Sequence, residues 1–332
     1  VRERNGRPLW AAGPDGPWDE ARAELLRTGT VVLYARMGPW LPEAGSEAEL
    51  RRRLGRDWRR YESMGRARSR ERFAASRLML RCSAAAVLGT APELVDLAYQ
   101  PGGRPYVRGC DQIDVSLSHT EDVMVVGITR RGRIGVDVER ADRRLAHTGS
   151  ERQACTPYEK ARLDAGGEEA RNDTMVRLWT LKEAYSKALG QGLRFRFTEF
   201  GFALDDAGPR LVRPDGTPVP GGEWQFGTFP AGDGYVLSVA VWDAGFGDLA
   251  DLSVGTMLDD GMLDALLGAS GPARGPARSG QPAGLLGDAD GVDAVAGAQL
   301  ADDGRQVVAD GALRQVEAAG DLGGVGAPGG QA

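Results

Sequence analysis

The sequence predicts an α+β fold of two pseudo-symmetric halves, each a small antiparallel sheet packed with helices. Three observations point to it. Short β runs come in groups of three, two long helical stretches separate them, and each helical stretch closes on a glycine, Gly89 and Gly190. The expected organisation is an irregular segment over 1–28, a first half over 29–120, a second half over 121–243 and a low-complexity acidic tail over 244–332. No residue-level repeat relates the halves.

In chain order, "TVVLYAR" (30–36) reads as a short strand. An Arg-rich helical stretch follows from Glu47 to Leu88, broken near Gly65. Its second part carries Phe73, Leu78, Leu80 and Val87 as an imperfect apolar stripe. Three β runs come next, "IDVSLSH", "VMVVGIT" and "RIGVDVER", spaced as an antiparallel meander. "TPYE" (156–159) predicts a capping box from Thr156 to Glu159 with Pro157 in the first helical position. A longer helix is expected from Glu168 to Leu189, then three strands in "FGFALDD", "WQFGTF" and "YVLSVAVW". From Ala244 the chain turns to Gly, Ala and Asp with almost no aromatics, a composition expected to be disordered apart from a short helix in "GTMLDDGMLDALLGA".

Composition removes several function classes. No apolar run reaches the length of about 18 residues that a membrane span requires, and the first residues do not resemble a secretory signal. Cys82, Cys110 and Cys155 share no metal-ligand spacing and read as reduced thiols of a cytoplasmic protein. With only His119 and His147, a poly-His metal site is excluded. The net charge of −6 is uneven: from Asp243 onward there are 4 Arg and 14 acids, which leaves the first 242 residues at +4. That is too little to argue for nucleic acid, although it suits phosphate-bearing or acidic partners. A monomer is expected.

Two motifs carry chemistry. In "RIGVDVER", Ile134, Val136 and Val138 alternate with Gly135, Asp137 and Glu139. On a strand Asp137 and Glu139 therefore share a face, half of a hard-cation site; a solvated edge strand would show the same spacing. In "WTLKEAYSKALG", Trp179, Lys182, Glu183 and Lys187 fall within about 140° of helical arc, while Leu178, Leu181 and Ala184 lie mostly elsewhere and are free to pack. Lys182 and Lys187 are two of only three lysines, against 38 arginines, which points to a task for a compact ammonium. Ser118 and His119 end a β run where side chains reach a cleft. Arg104 stands on a Gly-rich loop before Pro105, suited to an anion.

In this order and spacing "SLSHT", "IGVDVER" and "WTLKEAYSK" resemble the 4'-phosphopantetheinyl transferases, of the single-chain, two-half, surfactin-synthetase-activating type. The resemblance covers about residues 60 to 243. It implies that coenzyme A binds in a cleft between the halves and that Asp137, Glu139 and Glu183 ligate Mg²⁺. It further implies that His119 and Lys187 contact phosphate, that Arg104 reaches the 3'-phosphate, and that Arg72 and Arg77 help hold the nucleotide. Ser118 joins the cofactor-binding set, with Lys182 as a peripheral anion contact. The implied reaction moves 4'-phosphopantetheine from coenzyme A to a serine of an apo acyl, peptidyl or aryl carrier protein and releases 3',5'-ADP. Glu183, directly or through a metal-bound water, is the expected base, and Lys187 and His119 neutralise developing charge. Another Mg²⁺-dependent phosphoryl or nucleotidyl transferase, or a non-catalytic carrier-binding module, are the rival readings.

Overall fold

A computed structural model of the chain describes residues 6–41, 47–190, 196–220 and 222–245. The tail from 246 onward, including the short helix expected there, lies outside the described residues.

The first half begins earlier than expected. Residues read from sequence as irregular form strand β1 (Leu9–Trp10) and helix α1 (Trp18–Thr28). A single acidic-to-apolar stretch of eleven residues is short for a sequence pattern to stand out. Packing decides instead, since Ala21 and Leu25 are buried in the first core. Strand β2 (Thr30–Arg36) follows, then helices α2 (Glu47–Leu54), α3 (Trp58–Ser63) and α4 (Ala67–Leu88). The break between α3 and α4 falls at Gly65, as predicted. Short strands β3 (Leu97–Tyr99) and β4 (Pro105–Val107) pair with each other, and β5 (Asp114–Thr120) and β6 (Val123–Thr129) form a hairpin. One sheet runs in the order β1-β2-β6-β5, all antiparallel except the β1–β2 pair.

The second half runs from β7 (Gly132–Arg140) through α5 (Gly149–Ala154), α6 (Pro157–Ala165) and α7 (Glu168–Leu189). It ends with strands β8 (Gly201–Asp205), β9 (Gly208–Val212), β10 (Trp224–Pro230) and β11 (Tyr235–Asp243). Both bonds of the Thr156–Glu159 capping box are present at the start of α6. Helices α4 and α7 each end on a left-handed glycine, Gly89 (φ 66°) and Gly190 (φ 72°), where a side chain would be strained. The α+β class is borne out.

The expected three-strand meander is not. β7 leaves β6 and pairs with β11 in a second sheet of order β10-β11-β7. Burial explains why: Ile134, Val136 and Val138 pack with Val32, Val123 and Val125, face to face between the two sheets. Gly127 on β6 makes room for this crossing, since a Cβ there would sit 2.6 Å from Val136 and 2.8 Å from Ile134. An edge-on β7 would leave these side chains without cover.

Candidate active site

The site is built on the strand β5, whose alternation separates two environments. Val115 and Leu117 point into the core under α4, and His119 follows the same parity. Asp114, Ser116, Ser118 and Thr120 face the other way and reach β7 along its length. Asp114 accepts from the Ile134 amide (2.7 Å), Ser116 Oγ from the Val136 amide (3.1 Å), Ser118 donates to Asp137 Oδ1 (2.8 Å) and Thr120 to Glu139 Oε2 (3.3 Å). A polar side-chain ladder therefore replaces the missing backbone pairing.

On the Gly135 face of β7, away from the apolar face of Ile134, Val136 and Val138, helix α7 comes into backbone contact. A Cβ on Gly135 would lie 1.8 Å from the Ala184 carbonyl oxygen and 2.6 Å from the Ala188 amide, so only glycine permits this approach. Leu178, Leu181 and Ala184 pack into the second core, as their helical spacing predicts. The close approach brings Glu183 and Lys187 beside Asp137 and Glu139, which share the Gly135 face. Lys187 Nζ donates to Asp137 Oδ1 (2.7 Å), to Ser118 Oγ (2.9 Å) and to the Val136 carbonyl (3.2 Å). Arg143, which sequence reasoning did not single out, pairs with Glu139 and lies over the Trp179 ring (5.5 Å).

The three carboxylates strain one another. Burial, then the neighbouring Asp137, push the Glu183 carboxyl up to about 7 against the pull of Lys187. Burial and Asp137 also raise Glu139. No hydrogen bond reaches the Glu183 carboxylate among the described residues. Three acids against Lys187 and Arg143 leave one negative charge in excess, an all-oxygen donor set that fits a hard divalent cation. As the side chains stand, no three His, Cys, Asp or Glu groups among the described residues close into a cage. Lys187 and Arg143 occupy Asp137 and Glu139 instead.

Across β5 lies a cationic cluster. Arg72 and Arg77 of α4 and Lys187 act on His119, and with burial as the largest cause they depress its imidazole to about 3, so His119 is neutral near pH 7. A neutral ring offers an N–H or a lone pair but no charge, so His119 does not supply the positive charge expected of it; the arginines beside it carry the positive charge here. His119 Nδ1, Arg72 Nε and Arg77 Nε are buried with no hydrogen-bond partner among the described residues. Arg77 stacks on Phe73 (4.6 Å) and Tyr99 (5.2 Å), and Arg60 of α3, also unforeseen, lies over the same two rings (5.6 and 5.7 Å). Buried donors without acceptors beside uncompensated positive charge describe an anion site.

Two expected contacts go elsewhere. Lys182 is fully buried and its ammonium is satisfied by Glu159 Oε2 (2.8 Å) and by the Phe197 and Phe200 carbonyls (both 2.7 Å). It holds the fold, and its three hydrogens are taken by these protein oxygens, which leaves none for a ligand anion. Arg104 is spent on Asp114, the Ile134 carbonyl (2.7 Å) and the Lys187 carbonyl. Its loop borders a polar cleft with Gln100, Arg130 and Arg133, away from the His119 cluster. The pattern G-G-R-P shows a mobile-looking loop; it does not show that the side chain turns inward.

Comparison with known proteins agrees with the motif. Residues 133–240 match the family model of the 4'-phosphopantetheinyl transferase superfamily. The 4'-phosphopantetheinyl transferase of Bacillus subtilis is 26% identical over 140 residues, 42% of this chain and 61% of that protein. The phosphopantetheinyl transferase of a Thraustochytrium species is 29% identical over 222 residues, 62% of this chain and 76% of that protein. A Synechocystis relative, 28% identical over 136 residues, is matched over 55% of its length. Among solved structures, a holo-(acyl-carrier-protein) synthase from Bacillus anthracis covers 33% of this chain and 95% of its own, with 21% identity and a TM-score of 0.27. The resemblance read from the motifs is thereby borne out: residues 133–240 are similar to the 4'-phosphopantetheinyl transferase superfamily, and the chain spans little more than half the length of several curated relatives that it matches. No described helix is long and apolar enough to cross a membrane.

Proposed function

We propose that the protein transfers the 4'-phosphopantetheine group of coenzyme A to a serine hydroxyl of an apo carrier protein. The observation that carries this reading is the pairing, across one strand, of two complementary sites. The neutral ring of His119 and the guanidinium groups of Arg72 and Arg77, with buried nitrogens left over for a ligand, suit the phosphates of a nucleotide, and the crowded carboxylates at Asp137, Glu139 and Glu183 suit a divalent cation.

In this reading Asp137, Glu139 and Glu183 hold Mg²⁺, which when bound supplies Lewis-acid polarisation of the pyrophosphate oxygens. Arg72, Arg77 and His119 hold the nucleotide end, helped by Arg60. Lys187 stands between the two sites and places a positive charge where the leaving oxygen gains a negative one. The carrier serine oxygen bonds to the phosphorus that bears pantetheine, the bond from that phosphorus to the bridging oxygen breaks, and 3',5'-ADP leaves. The serine proton passes to Glu183, directly or through water, since its carboxylate stands beside the site with no hydrogen bond from the described residues to occupy it.

The test is intact-mass measurement of an apo carrier protein after incubation with the enzyme, coenzyme A and Mg²⁺. A gain of one phosphopantetheine group that chelation of Mg²⁺ abolishes supports the reading. An unmodified carrier across a panel of acyl, peptidyl and aryl carriers overturns it. Transfer of a nucleotidyl group would assign the chain to the rival transferase chemistry.

A further inference from the structure

Resting on the transferase reading, we infer that Arg104 and Asp114 are a positioning pair that sets Lys187 and Glu183 in register with the carboxylates of β7. The guanidinium of Arg104 joins three elements: Asp114 on β5, the Ile134 carbonyl on β7 and the carbonyl of Lys187 near the end of α7. Asp114 in turn accepts the Ile134 amide at 2.7 Å. The two side chains are only 10% and 20% exposed. Next to them Arg133 Nη1 reaches the Leu189 carbonyl at 3.2 Å.

The last carbonyls of a helix lack intrahelical donors and carry partial negative charge, so a cation there is held by both a hydrogen bond and the helix dipole. What distinguishes this cap is the residue it grips. The carbonyl belongs to Lys187, whose ammonium lies among Asp137, Ser118 and the Val136 carbonyl. At Gly135 the helix rests backbone on strand, so no side chain of β7 interlocks with it at that point. A slip of one residue would move Lys187 and Glu183 by about 1.5 Å. Contacts near 2.8 Å do not survive that displacement, and misplacements of this size cost large factors in rate. Arg104 supplies the axial stop, and Asp114 holds the arginine. Lysine cannot replace it, because a point ammonium on a flexible stem does not present a fork to acceptors on three elements.

A direct contact from Arg104 to the 3'-phosphate makes the opposite kinetic prediction, which allows a decision. Steady-state transfer is measured for Asp114→Asn, Arg104→Lys and the double variant, with coenzyme A and with 3'-dephospho-coenzyme A. Positioning predicts that kcat falls about tenfold or more in each single variant, with KM for coenzyme A within about threefold. The same loss appears with both substrates, and the double variant loses little more than either single one. Hydrogen exchange supplies a readout independent of activity: amides at the end of α7 should exchange faster in Asp114→Asn while those of β6 keep their protection. Full kcat in Arg104→Lys, a KM effect that disappears with 3'-dephospho-coenzyme A, or unchanged exchange at the end of α7 would each overturn the inference. A wild-type enzyme that modifies no carrier would overturn the transferase reading instead.

Discussion

Lys182 and Lys187 stand five residues apart on one helix and do different work. Lys187 is partly exposed and binds Asp137 across the site, whereas Lys182 is sealed inside with Glu159. Three ammonium hydrogens meet three oxygens around Lys182, a match that the planar guanidinium of arginine does not offer. Lys182→Met should therefore cost about 3–5 kcal/mol by leaving the Glu159 carboxylate buried and unpaired, and Lys182→Arg should recover little of it; chemical denaturation measures both. At Glu183 the sign of the pH effect follows from its raised carboxyl. Between the ordinary value of 4.5 and about 7 the folded chain holds a proton that the unfolded chain has released, so stability falls as pH rises through that window. Metal-free Glu183→Gln should be more stable than wild type at pH 8 and no more stable at pH 4, as read by thermal melting. A wild-type melting curve unaffected between pH 5 and 8 would remove Glu183 from the crowded cluster.

At the scale of elements the sequence was legible wherever chemistry repeats at a fixed period. The 2.0 period in "RIGVDVER" placed Asp137 and Glu139 on one face, and the 3.6 period in α7 placed Glu183 and Lys187 together. What period does not contain is the identity of the neighbour across the face. Lys182 lies on the expected arc, yet α6 and the segment at Phe197 cover it, and Arg104 leaves an open-looking loop to cap α7. Ser116 and Thr120 were readable as well, because they share the parity of Ser118, but nothing local showed that β7 would lie beside β5 without backbone pairing. Gly135 is the element-scale hinge of the site. Gly135→Ala should push α7 off β7, cost at least about 1–3 kcal/mol as overpacking, and reduce transfer far more than a surface change of equal stability cost. Wild-type transfer and melting in that variant would mean that α7 does not rest on the strand here.

At the scale of the molecule, the described residues form three apolar clusters: one core under α4, one around α7, and one between the two sheets. The proposed site lies along the seam between β5 and β7: the cations proposed for the nucleotide, Arg72 and Arg77, come from α4, and the carboxylates proposed for the metal come from β7 and α7. The family relation and the α+β class were readable from three short motifs, while the seam itself was not, since it joins residues 20 positions apart by side chain to backbone bonds. Charge also acts at this scale. With the body at +4 and the residues from Asp243 onward at −10, carrier association should weaken as salt rises, and removal of residues 246–332 should leave transfer intact or faster. A soluble, folded truncation without activity would contradict this.

The most direct test of the account is a crystal structure with coenzyme A and Mg²⁺ bound. The account predicts one ligand spanning the seam, with its nucleotide phosphate against His119, Arg72 and Arg77, its pyrophosphate at Lys187, and Mg²⁺ on Asp137, Glu139 and Glu183. Coenzyme A lying instead along Arg104, Arg130 and Arg133, with the α4 arginines untouched and no metal at the three carboxylates, would contradict it.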